Sequence, residues 1–228
     1  MTRALYFDRA DGGKALAAAL KKELDDDLLS RRPLVLAIPR GGVLVGRDVA
    51  TEVDADLDLV VPRKLGAEGN PEYAIGAVMH DGTLYLNPEA LRITGASTGY
   101  IEEEKSREVK EARRRLEAYR GGRQEPALSD RVVIVVDDGI ATGATMIAAL
   151  RWVRSRGARV VIAGAPVGPR SSVEELRQEA DMVVCVLTPE PFYAIGAFYE
   201  NFGQVSDEEV EEILQEHWRR PPSRTGAP

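Results

Sequence analysis

Short, almost unbroken apolar runs punctuate this chain, and each stops at a polar or glycine-rich corner. Leu34–Ile38 ends at Pro-Arg-Gly-Gly, Leu57–Val61 at Pro-Arg-Lys and Val132–Val136 at Asp-Asp-Gly. Val160–Ala165 ends at Pro-Val-Gly-Pro, and Met182–Leu187 at Thr-Pro-Glu-Pro. Runs without polar alternation suit strands covered on both faces, as in a parallel sheet. Between them lie stretches with helical spacing of apolar residues. Lys14–Leu24, Val43–Val53, Ala144–Ser155 and Val173–Glu179 are the predicted helices. A last helix starts near Ser206, where Ser206 and Glu209 have capping-box spacing and Val205 can staple to Val210. The alternation predicts an α/β fold with a central parallel sheet of about five strands and helices on both faces.

Two segments depart from the alternation. Ala74–Leu86 holds two short apolar pieces around His80-Asp81-Gly82, a hairpin signal. Residues 87–122 read as one helical insertion, started by Asn87-Pro88 and stopped by Gly121-Gly122. Val109, Ala112, Leu116 and Tyr119 form its apolar stripe, and Glu103/Arg107 and Glu111/Arg115 lie at ion-pair spacing. The interleaved glutamates make this a solvated face, not a nucleic-acid surface. Residues 219–228, rich in Pro and Arg, read as a frayed tail. No linker divides the chain, so residues 1–228 are expected to form a single domain.

Composition narrows the class of protein. The chain is 44% hydrophobic and 29% charged, as globular domains are. A formal net charge of −7 disfavours a nucleic-acid partner. One cysteine, Cys185, excludes a disulfide framework and a cysteine zinc site. With no leader-like start and no long apolar stretch, no membrane partner and a cytoplasmic location are the expectation.

The sharpest chemistry lies in Val132–Thr145. A buried strand delivers Asp137 and Asp138 to its carboxyl end, and a small-residue turn, Gly139 to Gly143, leads into a helix. Ligands of parallel sheets sit beyond such strand ends. Backbone N–H groups at a helix start are unpaired, and small residues let an anion approach them. Thr142 and Thr145 add hydroxyls. Carboxylates suit a diol or a hydrated cation. One ligand carrying a phosphate, a diol and bound Mg²⁺ would satisfy both halves. The stretch has neither the Gly-Lys-Ser/Thr of a Walker loop nor the three glycines of a dinucleotide fingerprint.

This segment resembles the 5-phosphoribosyl 1-pyrophosphate (PRPP) signature of type I phosphoribosyltransferases. The resemblance covers roughly residues 30–66 and 130–205. It implies that Asp137 and Asp138 take the ribose hydroxyls, with Mg²⁺ held there through water or the hydroxyls. Ala141, Thr142, Gly143, Ala144 and Thr145 would take the 5′-phosphate. Arg40-Gly41-Gly42 corresponds to the pyrophosphate loop, where the family turns amides toward the diphosphate through a strained peptide bond. Arg63-Lys64 matches the pair that opens the flexible catalytic loop in several members. Arg40, Arg63, Lys64 and Asp138 are therefore the expected catalytic residues. Glu72, Phe192 and Tyr193 are candidates for the base, Phe192 and Tyr193 from a hood over residues 188–205. An Asp found in members acting on 6-oxopurines is replaced by Ala141, which turns the expectation away from hypoxanthine and guanine.

The stretch Phe7-Asp-Arg-Ala-Asp-Gly-Gly resembles one bacterial group of phosphoribosyltransferases whose acceptor is unassigned. The implied function is transfer of phosphoribose from PRPP to a small nitrogenous acceptor, releasing pyrophosphate. A homodimer is expected, with 87–122 enlarging the hood or forming the contact. Two rivals stand beside this reading: a PRPP- or nucleotide-sensing regulator without chemistry, and a phosphohydrolase using Asp137 and Asp138.

Overall fold

The computed structural model describes residues 5–219. Residues 220–228 of the expected tail lie outside them, and Arg219 closes the last helix. The strands are β1 (Leu34–Ala37), β2 (Asp56–Leu59), β3 (Arg63–Ala67), β4 (Asn70–Val78), β5 (Leu84–Leu86), β6 (Val132–Val136), β7 (Val160–Val167) and β8 (Met182–Leu187). The helices are α1 (Arg9–Glu23), α2 (Asp26–Ser30), α3 (Gly41–Glu52), α4 (Pro88–Thr94), α5 (Thr98–Arg120), α6 (Ala144–Ser155), α7 (Arg170–Leu176) and α8 (Asp207–Arg219).

All five anticipated runs enter one parallel sheet, in the order β2-β1-β6-β7-β8. Side chains alternate across it with period two. Val35, Ala37, Ile134, Val136 and Ile162 face one apolar layer with Leu16 and Leu20 of α1 and Val45 and Val49 of α3. Leu34, Leu36, Val133, Val135 and Ala163 face the other, with Ile147 and Leu150 of α6 and Leu176 of α7. Both faces of the sheet are thus dry, which is why its strands read as continuous apolar runs.

A second sheet, β3-β4-β5, is antiparallel. Its β4–β5 turn is the expected hairpin at His80-Asp81-Gly82. The β3 strand corrects the sequence reading. Arg63 and Lys64 begin a strand instead of ending one, because β2 stops at Leu59 and Pro62 has no N–H to extend the ladder. The stretch expected as a loop after them is the β3–β4 hairpin.

Residues 87–122 also differ from the expectation of one helix. Gly95, at φ 63°, stops α4, and Ser97 caps α5 through its hydroxyl on the Tyr100 N–H. The stripe on α5 bridges two cores: Ala112 and Tyr119 pack with the main sheet, and Val109 packs with the small one. The Glu111/Arg115 pair forms at 2.7 Å. Arg107 instead reaches Glu104 and Glu108, which lie on the face turned to β3. Ser206 caps α8 by accepting from the Glu209 N–H at 3.1 Å.

Candidate functional site

At the carboxyl end of β6 the alternation of the strand continues into the acidic pair. Val136 faces the α1/α3 layer, so Asp137 turns toward α6 and Asp138 back toward α1. Asp137 lines a cavity of about 160 Å³ together with Gly139, Ala141, Thr142, Gly143, Ala144, Thr145, Lys64 and Ile195. Its Oδ1 accepts from the Asp138 N–H at 2.8 Å. Burial, and then the adjacent Asp138 carboxylate, push the Asp137 carboxyl well above the ordinary carboxylate range.

The turn after the pair is built to present amides. Gly143 sits at φ 78° and starts α6 without a side-chain cap, so the first-turn N–H groups are left for an anion. Two bonds fix the turn's path: Ile140 N–H to Val167 O at 2.8 Å, and Ser172 Oγ–H to Ala141 O at 2.7 Å. Ala141 and Thr142 are exposed, with Thr145 half-buried. The structure therefore brings together the whole expected phosphate segment, Asp137 and Lys64.

The first glycine pair stands opposite the acidic pair. The Pro39–Arg40 peptide bond is cis, and α3 begins at Gly41. A Cβ on Gly41 would fall 1.8 Å from the Asp138 Oδ2, and one on Gly42 would lie 3.0 Å from the Asp137 Oδ1. Gly41 is thus required by close approach.

The expected cations each rest on a carboxylate. Arg40 is exposed, with Nη1 3.9 Å from Asp207 Oδ1. Lys64 Nζ lies 3.1 Å from Glu72 Oε2 across the β3–β4 hairpin. Arg63 Nε donates to Glu108 Oε2 of α5 at 2.8 Å. Glu72 therefore sits exposed at the hairpin. Phe192 stacks on Phe198 at 5.0 Å in a satellite apolar cluster, and Tyr193 is 83% exposed. Neither Phe192 nor Tyr193 lines the cavity; Ile195 of the same segment does.

Arg9 is the residue that sequence reasoning passed over. Its Nε donates to Asp138 Oδ2 at 2.7 Å, its Nη1 to Gly203 O at 2.8 Å, and its guanidinium lies 3.8 Å from the Phe202 ring centroid. Both Arg9 and Asp138 are buried. Tyr199 completes this side by donating its hydroxyl to Asp138 O at 2.6 Å. The available signal was the Phe7–Gly13 motif with an arginine at the start of a helix. A larger cavity, about 530 Å³, opens at the amino ends of β1 and β2, where Arg32 and Arg131 both pair with Asp56.

Among the described residues no three His, Cys, Asp or Glu side chains cluster as a metal site. Asp137 nevertheless fits a divalent cation that is also held by a ligand. It is a hard oxygen donor at the cavity wall, and a bound cation would offset its desolvation beside a second carboxylate.

Comparison with known proteins agrees with this architecture. The family model described as "Phosphoribosyl transferase domain" matches residues 7–200. A Mycobacterium tuberculosis protein named "Putative phosphoribosyl transferase" is 41% identical over 210 residues, which is 92% of this chain and 46% of that protein. The chain thus spans about half the length of the curated relatives it matches. The crystal structure of TT1426 from Thermus thermophilus is similar at 45% identity and TM-score 0.76, covering 92% of this chain and 98% of that one.

Proposed function

The chain belongs to the phosphoribosyl transferase family, and we propose that it transfers the phosphoribosyl group of PRPP to a small nitrogenous acceptor. The observation that carries this reading is the cavity in which Asp137, the uncapped start of α6 and Lys64 meet. The amides of Ala141 to Thr145, with the two threonine hydroxyls, bind the 5′-phosphate where the α6 dipole favours negative charge. The ribose then lies over the acidic pair, Asp137 presenting its carboxylate to the hydroxyls. The diphosphate extends toward the Arg40-Gly41-Gly42 turn.

In the reaction the bond from the anomeric carbon to the pyrophosphate oxygen breaks, and a bond to the acceptor nitrogen forms. Positive charge develops on the ribose and negative charge on the leaving group. Asp137 lies on the ribose side, and Arg40, Lys64 and the turn amides lie on the diphosphate side, where preorganised charges lower the barrier. Asp137, with ligand oxygens, would hold Mg²⁺, whose chemistry would be further neutralisation of the diphosphate. Arg40 and Lys64 are free to exchange partners, since exposed ion pairs such as theirs with Asp207 and Glu72 contribute only about 0–1 kcal/mol. Arg63, held by a buried Glu108, acts by anchoring the hairpin that carries Lys64. With Ala141 in place of an acidic residue, the acceptor is adenine-like or another small heterocycle rather than a 6-oxopurine. We assign the protein to the cytoplasm and to a homodimer on the same family grounds; no helix among the described residues is long and apolar enough to cross a membrane.

Calorimetric titration with PRPP and Mg²⁺ tests the reading. The wild-type chain is expected to bind, and the double variant Asp137→Asn, Asp138→Asn to lose binding altogether because the diol and cation lose their charged acceptors. Unchanged affinity in the double variant would overturn the assignment. Binding without pyrophosphate release across a panel of bases would identify a sensor on the same fold, and pyrophosphate release with no acceptor a hydrolase.

A further inference from the structure

The cavity at the amino ends of β1 and β2 lies at the end of the parallel sheet away from the phosphate turn. Its volume of about 530 Å³ suits a small molecule and exceeds the 160 Å³ of the cavity at the acidic pair. Thr51 of α3, Asp58 of β2, Pro126 after α5 and Trp218 of α8 wall it from four sides. Two of the three non-glycine residues with positive φ among the described residues also line it, Arg32 at 50° and Asp54 at 51°. Strained backbone of this kind concentrates at ligand sites.

Two arrangements give the cavity its chemistry. Arg32 and Arg131 share one carboxylate, for Asp56 lies 2.9 Å from Arg32 Nη2 and 2.7 Å from Arg131 Nη2. The two guanidiniums are therefore only half neutralised by it. Arg131 spends Nη2 alone, on Asp56 and on Arg32 O, and its fork keeps donors for an oxyanion. The second arrangement is a stack. The Arg123 guanidinium lies 4.8 Å from the Trp218 ring centroid and makes no ion pair among the described residues. The indole beneath it is fixed by its N–H bond to Leu57 O at 2.9 Å. A guanidinium on a fixed indole is a platform for a planar ring. Buried Asp58 supplies an acceptor nearby, its Oδ1 already taking the Leu59 N–H at 2.7 Å.

We infer that this cavity is a second binding site, for a planar nitrogen heterocycle carrying a phosphate, the chemistry of a nucleoside monophosphate. The ring stacks on the Arg123–Trp218 platform, its N–H groups face Asp58, and the phosphate meets Arg32 and Arg131. The inference stands apart from the PRPP reading, since none of these residues lines the cavity at the acidic pair.

Selective isotope labelling of tryptophan, read by NMR on the full chain, tests it. The chain has two tryptophans, and Trp152 is buried in the α6 layer of the core. Their indole N–H signals are followed during titration with adenosine monophosphate, adenosine and inorganic phosphate. Trp218→Phe assigns the signals, or Trp152→Phe if the first variant does not fold. The monophosphate is expected to move the Trp218 signal and leave that of Trp152 in place. Adenosine lacks the anion and inorganic phosphate lacks the ring, so each is expected to bind at least about tenfold more weakly. Arg123→Gln is expected to weaken the monophosphate about tenfold without changing the melting curve. The variant Asp137→Asn, Asp138→Asn is expected to respond as wild type does. A Trp218 signal that millimolar monophosphate leaves unmoved overturns the inference, as does wild-type affinity in Arg123→Gln. An equal response to inorganic phosphate would mean a site for an anion alone, and an equal response to adenosine a site for the ring alone; either overturns it. A response lost in the double aspartate variant would place the ligand at the acidic pair instead. Failure of PRPP to bind sinks the proposed function and leaves this titration untouched.

Discussion

Asp137 is held at a cost to the fold. Its carboxyl is raised well above its ordinary range by burial and by the Asp138 charge, so the folded chain binds that proton more tightly than the unfolded chain. The stability this gives is fully present below the unfolded carboxylate value and is lost as pH rises through the folded one. At neutral pH Asp137→Asn removes the unfavourable charge. We expect the melting midpoint of this variant to rise by about 2–4 °C, roughly 1 kcal/mol for a chain of this size, while PRPP affinity collapses. Wild-type melting curves should lose stability across that pH window and the variant should not. Affinity for Mg²⁺ and PRPP should run the opposite way, growing with pH as the carboxyl deprotonates. A midpoint lower in Asp137→Asn than in wild type at pH 7 would show that the carboxylate is well compensated in the free protein.

At the scale of elements, a second buried charge pair ties the insertion to the sheet. Arg120, the last residue of α5, lies 3.1 Å from Asp58 of β2, and both side chains are only 5% exposed. Burial raises the Asp58 carboxyl, and Arg120 opposes that rise. Removing one partner of such a pair leaves a buried charge without its counterion. Arg120→Met should therefore lose about 3–5 kcal/mol in urea unfolding. The double variant Asp58→Asn, Arg120→Met should regain much of that loss; a double variant as unstable as the single one would mean that Arg120 acts by packing alone.

Neither partner of that pair was legible in the chain, because α5 and β2 are far apart in sequence and nothing local marks Asp58 as inward. The central sheet was legible, since its strands are buried on both faces and need no alternation to be found. The phosphate turn was legible for a similar reason: strand, acids, small residues and helix start are contiguous. Junction geometry was not. Arg63 and Lys64 read as following a strand, because a proline between two apolar-polar stretches suits an end or a beginning equally well. The break at Gly95 was legible in principle and was missed, since Gly95 and Ser97 offer a helix stop followed by a cap within the stretch read as one helix. Arg9 stayed silent because its partners, Asp138, Phe202 and Gly203, come from distant parts of the chain.

The whole molecule depends on its last helix. Val210, Ile213 and Leu214 of α8 are buried in the layer shared by α1, α3 and the main sheet, and the Trp218 indole N–H donates to Leu57 O at 2.9 Å. At about 1.5–3 kcal/mol per buried aliphatic side chain, these three alone account for roughly 4.5–9 kcal/mol. That is comparable with the total stability of most domains. A chain ended at residue 206 should therefore be unfolded or molten by near-ultraviolet circular dichroism at 37 °C; native-like melting of that truncation would show that the sheet stands without α8. The Arg9–Gly203 bond joins residues 194 positions apart. On a ribosome, the arginine emerges well ahead of its carbonyl partner. Nascent chains can form the strand and turn that cradle a phosphate before the clasp over them can close, so binding competence arrives only once residue 203 has left the ribosome.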